Sequence, residues 1–290
     1  MTPLLELYGT HPQEEREVYI ATSGGVDSSA LAVAVMETDA EPIITSFTLD
    51  DRESSDFIAA MNLAQHFGLK FVPVFVPTDE EFIVNSVLDN MRRYRLRRKA
   101  DIECMYPFIY MINEIGKAGA TDLMTGMWAD GHFCLSKTGM IHSRHSIEAF
   151  QKFRHGYFHG KPKRQQQILP TACKESGISL CAPFWSPAIF ELFSNSTWDE
   201  VNKPRQKEPI RAAFPELDSL RLKNHLNLQL GDSGIADAVG GAMKARFAPA
   251  SKSPVSAYNA IVRRGRLSLF QWRQKSIGSI IQIPHWMRGI

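Results

Sequence analysis

The sequence predicts a doubly wound, parallel α/β domain followed by a mostly helical region. Over the first 130 residues, short apolar runs alternate with amphipathic helical stretches, which is the pattern of a parallel sheet covered by helices. A glycine-rich turn directly follows the first apolar run. Beyond residue 131 the strand pattern gives way to helical segments joined by loops that contain proline and glycine. A length of 290 residues suits one large domain of this kind with a helical extension.

Four strands and four helices are expected in the first half of the chain. We predict strands at residues 18–22, 42–47, 70–76 and 121–125, and helices at residues 28–38, 54–67, 80–94 and 105–118. The second helix carries apolar residues at steps of three and four positions, which are expected to pack on the sheet: Phe57, Ala60, Met61, Ala64 and Phe67. Residues 178–182 are expected to form a short edge element in the second half.

Composition and cysteine spacing exclude several classes of protein. The chain is 44% hydrophobic and 22% charged, which is ordinary for a globular protein. No apolar run approaches the roughly 18 residues that a membrane span needs, and no basic leader precedes an apolar stretch at the N-terminus, so we expect a cytoplasmic protein without a membrane partner. The four cysteines contain no CxxC pair, which suits neither a zinc site nor a disulfide framework.

The two halves of the chain carry opposite net charge. Residues 1–130 contain 10 basic and 21 acidic residues, a balance of −11, whereas residues 131–290 contain 23 basic and 10 acidic residues, a balance of +13. This asymmetry favours an anionic partner for the second half. Two alternatives remain open: the halves attract one another in the fold, or the basic half surrounds an anionic ligand.

The first predicted strand ends in the sequence SGGVDSS at residues 23–29, which indicates a phosphate-binding loop. Gly24 and Gly25 permit backbone angles and close approaches that other residues do not, so successive N–H groups can converge on phosphate oxygens at a helix N-terminus. Ser23, Ser28 and Ser29 add hydroxyl donors. The carboxyl end of a strand is also where open α/β sheets bind their ligands.

Asp27 is the most informative residue of this loop. A carboxylate beside a phosphate is repelled unless a divalent cation lies between them, so the loop implies Mg²⁺. The sequence lacks the GK[ST] ending of a Walker loop, which excludes that class of nucleotide site. The simpler alternative is a Gly-Gly turn in which Asp27 and its serine neighbours cap the next helix.

The SGGVDSS motif resembles the pyrophosphate loop of the N-type ATP pyrophosphatases. Within that superfamily, residues 18–235 are most similar to the synthetase domain of asparagine synthetase and β-lactam synthetase. The resemblance implies the adenine nucleotide alpha hydrolase-like fold, the cofactors ATP and Mg²⁺, and cleavage of ATP to AMP and pyrophosphate. It places the adenine at the end of the second strand, beside Phe47 and Thr48.

Two later segments supply the other residues that the resemblance implies. Gly126 and Asp130 fall on the glycine and aspartate of the family's SGEGSDE loop, so Asp130 is expected to join Asp27 as a metal ligand. The segment QKEPIRAAF at 206–214 is similar to the family's EKxxLRxxF helix, so Lys207 is expected to contact the reacting α-phosphate. Lys207, Asp27 and Asp130 are therefore the catalytic candidates, and Lys207 would stabilise the charge that builds in the transition state.

The sequence departs from the family on the side of the acceptor. Met127 replaces the loop glutamate that assists nitrogen attack, Gly131 replaces the glutamate after the aspartate, and Trp185 and Ser186 stand where the family has the end of its VPFLD stretch. Tyr106 and Pro107 are expected either to line the acyl pocket or to pack in the core. Because 17 residues stand before the first predicted strand and residue 2 is Thr2, we expect no glutaminase domain with a catalytic N-terminal cysteine, and we expect nitrogen from ammonia, an amine or a separate glutaminase.

We therefore expect an AMP-forming carbon–nitrogen ligase that activates a small carboxylate for attack by ammonia or an amine. Residues 1–17 would be an N-terminal extension, residues 18–235 the catalytic domain and residues 236–290 a basic C-terminal extension. Two alternatives remain: modification of a base in DNA or RNA by the same chemistry, and a non-catalytic nucleotide-binding protein. A nucleic-acid partner would use basic residues interleaved with aromatics between 144 and 164: Arg144, His145, Lys152, Arg154, His155, His159, Lys161, Lys163 and Arg164, with Phe150, Phe153, Tyr157 and Phe158. The alternative for this segment is a helix whose aromatic side chains face the core.

Overall fold

Five parallel strands form one sheet in this computed structural model. The strands are β1 (Glu17–Ala21), β2 (Glu41–Leu49), β3 (Lys70–Val76), β4 (Asp122–Thr125) and β5 (Ser179–Cys181), and their order across the sheet is β3-β2-β1-β4-β5. The structure describes residues 16–161, 164–220, 222, 231–247, 259 and 261. The strand order reverses at β1, whose neighbours are β2 on one side and β4 on the other.

Twelve α-helices lie in the described part of the chain. They are α1 (Val26–Met36), α2 (Ser55–Phe67), α3 (Glu80–Arg93), α4 (Lys99–Lys117), α5 (Asp130–Phe133), α6 (Lys137–His145), α7 (Ile147–His159), α8 (Arg164–Glu175), α9 (Pro187–Ser194), α10 (Trp198–Asn202), α11 (Glu208–Ala213) and α12 (Ile235–Phe247). Short 3₁₀ turns occur at Pro183–Trp185, Pro215–Ser219 and Gly231–Ser233.

Helices cover both faces of the sheet, which confirms the predicted doubly wound architecture. Successive side chains of β1 point to opposite faces. Val18 and Ile20 enter a buried cluster with residues of α1 and α2, whereas Tyr19 enters a second cluster with residues of α3, α4, α8 and α12. In a sheet of this kind the point where strand order reverses opens a crevice at the carboxyl ends of the strands.

The predicted elements of the first half are present, with shifted ends. The third strand has the predicted bounds, and the predicted edge element is β5, which pairs in parallel with β4. The fourth helix begins at Lys99, six residues before the predicted start, because its first turns carry charged residues that interrupt the apolar pattern. Of the predicted stripe on α2, Met61 is 37% exposed, and Leu63 takes a core position in its place.

The helical second half also contributes to the main core. Val239 and Met243 of α12 are completely buried in the same cluster as residues of α3 and α4, so the first part of the predicted C-terminal extension packs on the domain. Residues 1–15 and nearly all of 248–290 lie outside the described residues. Among the helices that are described, none combines the length and apolar character that crossing a membrane requires.

Candidate active site

A cavity of about 450 Å³ lies at the carboxyl ends of β1, β2 and β4. Its walls are formed by the loop after β1, the end of β2, one face of α4 and the loop after β4. Most of the predicted nucleotide-side residues line it, namely Ser23, Gly25, Asp27, Ser28, Phe47, Thr48, Gly126 and Asp130. Two others do not: Gly24 lies against α2, and Ser29 is completely buried within α1.

The SGGVDSS loop is held in a sharp turn between β1 and α1. Gly24 has a φ of 67°, and a Cβ at this position would lie 2.2 Å from the Cβ of Ala59, so no larger residue fits there. The next residue, Gly25, is the N-cap of α1. The Ser28 hydroxyl donates to the Gly25 carbonyl over 3.3 Å and accepts from the Ser23 N–H over 3.4 Å, which closes the turn.

A second glycine lets the loop after β4 approach the first loop closely. A Cβ on Gly126 would lie 3.0 Å from the backbone nitrogen of Ser28 and 3.1 Å from the Cβ of Asp27. A larger residue would push the two loops apart. Because they stay together, Asp130, which begins α5 four residues later, is brought to the same side of the cavity as Asp27.

The Lys207 side chain contacts both carboxylates that are predicted to bind a metal, those of Asp27 and Asp130. Its side chain is only 6% exposed, and its Nζ contacts Asp27 Oδ2 and lies 2.8 Å from Asp130 Oδ1. Burial, the largest single influence, works to lower the pKa of Lys207, but the attraction and hydrogen bonds of the two aspartates outweigh it and raise the pKa above its ordinary value. The ammonium therefore keeps its charge at neutral pH.

The backbone around Lys207 is also constrained. Lys207 has a φ of 61°, in the left-handed region, and is the N-cap of α11. Its N–H donates to Asn202 Oδ1 over 3.4 Å, while Asn202 Nδ2 donates to the Phe133 carbonyl over 2.9 Å. Uncommon backbone angles of this kind persist where surrounding contacts hold them, as they do at many functional sites.

The two carboxylates suit a magnesium ion that arrives with a nucleotide. They come from separate loops and both reach the Lys207 ammonium, so a single cation can contact both. Mg²⁺ is commonly bound through one or two carboxylates, with water and substrate phosphates in the remaining positions. The described residues contain no group of three or more His, Cys, Asp or Glu side chains that could hold a metal.

One wall of the cavity consists of side chains that the sequence did not identify as site residues. Cys104, Met105 and Phe108 of α4 line it, and the Phe108 ring meets Phe47 edge-on with centroids 6.0 Å apart. The sequence named only Tyr106 and Pro107 of this helix as residues that could line a pocket or pack in the core. Tyr106, by contrast, packs in the core at 1% exposure and donates to the Pro77 carbonyl over 3.1 Å.

Aromatic side chains occupy the region where the sequence departs from the family on the acceptor side. A Cβ on Gly131 would lie 2.4 Å from the ring of Tyr157, so this ring fills the space of a side chain at that position. Trp185 packs against Trp128 with ring centroids 5.6 Å apart and against Tyr157 at 6.5 Å. These positions present no charged group to an acceptor.

The basic segment between residues 144 and 164 has its aromatic side chains turned inward. Phe150 and Phe158 on α7 are buried, and Arg154 is completely buried. Arg154 donates to the carbonyls of His132 and Ser196 over 3.0 and 3.1 Å, so it serves as an internal tie and not as a surface cation. Lys163 lies outside the described residues.

None of the four cysteines forms a disulfide, as the sequence predicts. Cys134 and Cys173 are buried, whereas Cys104 and Cys181 are half-buried. Burial raises the pKa of the Cys173 thiol to about 12.

Comparison with known protein families agrees with the fold. The parallel sheet and the family match are those of an ATP-utilising enzyme of the pyrophosphate-loop class. A family model for asparagine synthase matches residues 10–217, which is well over half of the chain, and the protein therefore belongs to the asparagine synthase family. No curated protein matches the sequence.

Two solved structures show only distant likeness. The U34-tRNA thiolase NcsA from Methanococcus maripaludis with its [4Fe-4S] cluster has 13% identity and a TM-score of 0.43, over 87% of this chain and 74% of that one. A short-chain dehydrogenase from Streptomyces avermitilis has 13% identity and a TM-score of 0.28, over 91% of this chain and 98% of that one. At these scores neither likeness informs the function.

Proposed function

We propose that the protein is an AMP-forming ligase that adenylates an acceptor and passes it to a nitrogen nucleophile. The observation that carries this proposal is the position of Lys207, whose ammonium joins Asp27 and Asp130 at the edge of the SGGVDSS loop. A cation and two carboxylates held around one point can organise both a triphosphate and its metal. Family membership supports ATP-dependent adenylation as the chemistry.

In the proposed reaction, an acceptor oxygen attacks the α-phosphorus of ATP, and the bond to the β-phosphate breaks. The N–H groups of the loop from Gly24 to Ser28 hold the β- and γ-phosphates, so that they leave together as pyrophosphate. Lys207 stabilises the charge that builds on the α-phosphate oxygens during the attack. Mg²⁺ held by Asp27 and Asp130 would neutralise charge on the departing pyrophosphate.

The second half of the reaction is amide formation, in which ammonia or an amine displaces AMP. The preferred acceptor is a small-molecule carboxylate, and the nitrogen would come from free ammonia, an amine or a separate glutaminase. The carboxylate residues that assist this step in the family are absent at Met127 and Gly131, so support is stronger for adenylation than for amidation. Adenylation of a base in DNA or RNA is the second candidate, and a surface beside the cavity favours it, as described below.

Exchange of labelled pyrophosphate into ATP tests the proposal. Wild-type protein with Mg²⁺ and a panel of acceptors should catalyse the exchange, because adenylation is reversible and labelled pyrophosphate can replace the released pyrophosphate while the adenylated acceptor stays bound. Asp27→Asn removes one of the two charges that face the metal and should reduce exchange at least ~100-fold, which is the order of magnitude expected for a preorganised charged group. Asp89→Asn, an equal charge change on α3 at an ion pair with Arg92, is the control and should leave exchange unchanged.

The outcome separates the proposal from a non-catalytic nucleotide-binding protein. That alternative requires ATP binding with no exchange for any acceptor, in wild type and both variants. Full exchange in Asp27→Asn would show that the carboxylate has no part in the reaction, and the proposed role of the loop would then be wrong.

A further inference from the structure

A basic segment between α3 and α4 lies beside the cavity. Six of the ten basic residues in the first 130 positions fall within eight consecutive residues, 92–99. Three of them have acidic partners: Arg92 pairs with Asp89, Arg93 with Glu175, and Lys99 with Glu103. The other three, Arg95, Arg97 and Arg98, are exposed and make no ion pair with any residue that the structure describes.

Buried neighbours hold the backbone of this segment so that the three arginine side chains face solvent. Tyr94 and Leu96 are buried at 6% and 2% exposure, so the residues between and after them point outward. The Tyr94 hydroxyl donates to Glu175 over 2.6 Å, which ties the segment to α8. Arg164, at the start of α8, donates to the Arg95 carbonyl over 3.4 Å and adds a fourth guanidinium. We call Arg95, Arg97, Arg98 and Arg164 the arginine rim.

The arginine rim flanks the entrance of the cavity. Ala100, two residues after Arg98, and Gln165, which follows Arg164, both line the cavity wall. One acid lies among these groups: Asp101 accepts from Gln165 over 3.3 Å. Burial raises the pKa of Asp101, while Arg98 and Arg164 act in the opposite direction, which places both guanidinium groups near it. A single acid leaves an excess of positive charge at the rim.

The cavity interior has the opposite character. Among the described lining residues there is no lysine, arginine or histidine, and the charged ones are Asp27, Asp56 and Asp130. The wall from α4 is largely apolar, with Met105 and Phe108. In the proposed reaction the loop N–H groups and the Mg²⁺ held by Asp27 and Asp130 serve the triphosphate of ATP, so no cationic residue of the described lining is left for a second set of phosphates. The phosphates of an acceptor fit the rim, and an uncharged part of it can enter the cavity.

We propose that the arginine rim binds the phosphate backbone of a single-stranded nucleic acid and presents one of its bases to the cavity. Guanidinium groups bind phosphates through paired hydrogen bonds, and bases of a single strand are free to turn into a pocket. This inference rests on the proposed adenylation, since it names the acceptor of the same site. It also moves the nucleic-acid surface from the α7 segment, whose aromatics face the core, to the loop between α3 and α4.

Fluorescence anisotropy without ATP tests the rim directly. Labelled single-stranded RNA, single-stranded DNA and duplex DNA of 20 nucleotides, or about two duplex turns, serve as probes. The rim variant is Arg95→Gln, Arg97→Gln and Arg98→Gln together. The control variant carries the same charge change in the basic segment between residues 144 and 164. It combines Arg144→Gln, Lys152→Gln and Lys161→Gln, all at exposed positions. All six positions are on the surface, so both proteins should fold and bind ATP like wild type.

Wild-type protein should bind a single strand at low salt, and more tightly than the duplex. Each phosphate contact on a single strand contributes about 0.7 to the slope of log affinity against log salt, so loss of three contacts should lower that slope by about 2. A fourfold rise in salt should then weaken wild type about 20-fold more than the rim variant. The control variant should keep the wild-type slope.

Several results would overturn the inference. One is the absence of binding at low salt, and another is an equal loss in the rim and control variants of the slope of log affinity against log salt. A third is displacement of the nucleic acid by polyglutamate at equal charge concentration, which would mean that the surface binds any polyanion. Tighter binding of the duplex would also contradict it. Asp27→Asn should bind the single strand like wild type but lose pyrophosphate exchange, so failure of the rim and failure of the proposed chemistry are seen in different assays.

Discussion

Replacement of Lys207 by methionine should damage both stability and catalysis, and each loss can be measured separately. The change removes the ammonium that joins Asp27 and Asp130 and leaves two carboxylates facing each other. Removing one partner of a buried ion pair typically costs about 3–5 kcal/mol. The side chain of Lys207 is 6% exposed, but those of Asp27 and Asp130 are 17% and 35% exposed, so water screens part of the repulsion. We therefore expect Lys207→Met to lower the free energy of unfolding by about 3 kcal/mol, the low end of that range.

Urea and thermal unfolding of Lys207→Met measure this loss. For a protein of this size, about 3 kcal/mol corresponds to a fall in melting temperature of roughly 6–12 °C. The pKa of Lys207 is raised, so its contribution is fully present below the ordinary pKa of lysine and is lost only as pH rises through the raised value. The difference between wild type and variant should therefore stay constant from about pH 6 to pH 9.

Catalysis should fall by a different mechanism. Loss of one preorganised charge in the transition state costs about 2.7–4 kcal/mol, or about 10²–10³ in rate, while ATP binding should change much less. Adding Asp130→Asn to Lys207→Met relieves the repulsion and should restore part of the stability but none of the exchange. Wild-type melting in the single variant would refute the ion-pair geometry. Normal exchange at saturating ATP would refute a role for Lys207 in the transition state.

Two further predictions concern the loop and a buried histidine. Gly24→Ala should destabilise the protein by about 1–3 kcal/mol and weaken ATP binding, because the new Cβ meets Ala59 at a positive φ; Gly68→Ala, at a φ of 66° with nothing within 4 Å, is the control for backbone strain alone. Equal effects of these two changes would show that contact with Ala59 is unimportant. Burial lowers the pKa of His132 to about 4 in the folded protein. As pH falls below about 6.5, this histidine therefore takes up a proton in the unfolded chain before it does so in the folded protein. The free energy of unfolding should drop by up to about 3 kcal/mol between pH 6.5 and pH 4, and a pH profile of His132→Gln just as steep would contradict this assignment.

The features that the sequence predicted well depend on short-range patterns. The βα units follow from apolar runs and helical stripes, and the sharp turn between β1 and α1 follows from its two adjacent glycines. The third strand was predicted with its true bounds for this reason. Lys207 could be singled out only through the motif around it, since its position beside Asp27 depends on contacts across 180 residues.

Long-range packing explains what could not be predicted. Arg154 lies in a segment rich in cations, and only the fold shows that carbonyls from α5 and the end of α9 surround it. Cys104, Met105 and Phe108 were not predicted as cavity residues, because the sequence of α4 does not show which of its apolar side chains face the core and which face a ligand. The basic segment at 92–99 lies in the acidic half of the chain, so a net charge averaged over that half conceals it.

The proposed site cleaves ATP between the α- and β-phosphates. Phosphorus-31 NMR of a reaction that contains the protein, ATP, Mg²⁺ and an acceptor tests it most directly, with small carboxylates and single-stranded RNA supplied in separate samples. AMP and pyrophosphate are expected in equal amounts, and neither product is expected in matched samples of Asp27→Asn. ADP and inorganic phosphate as the products would contradict it.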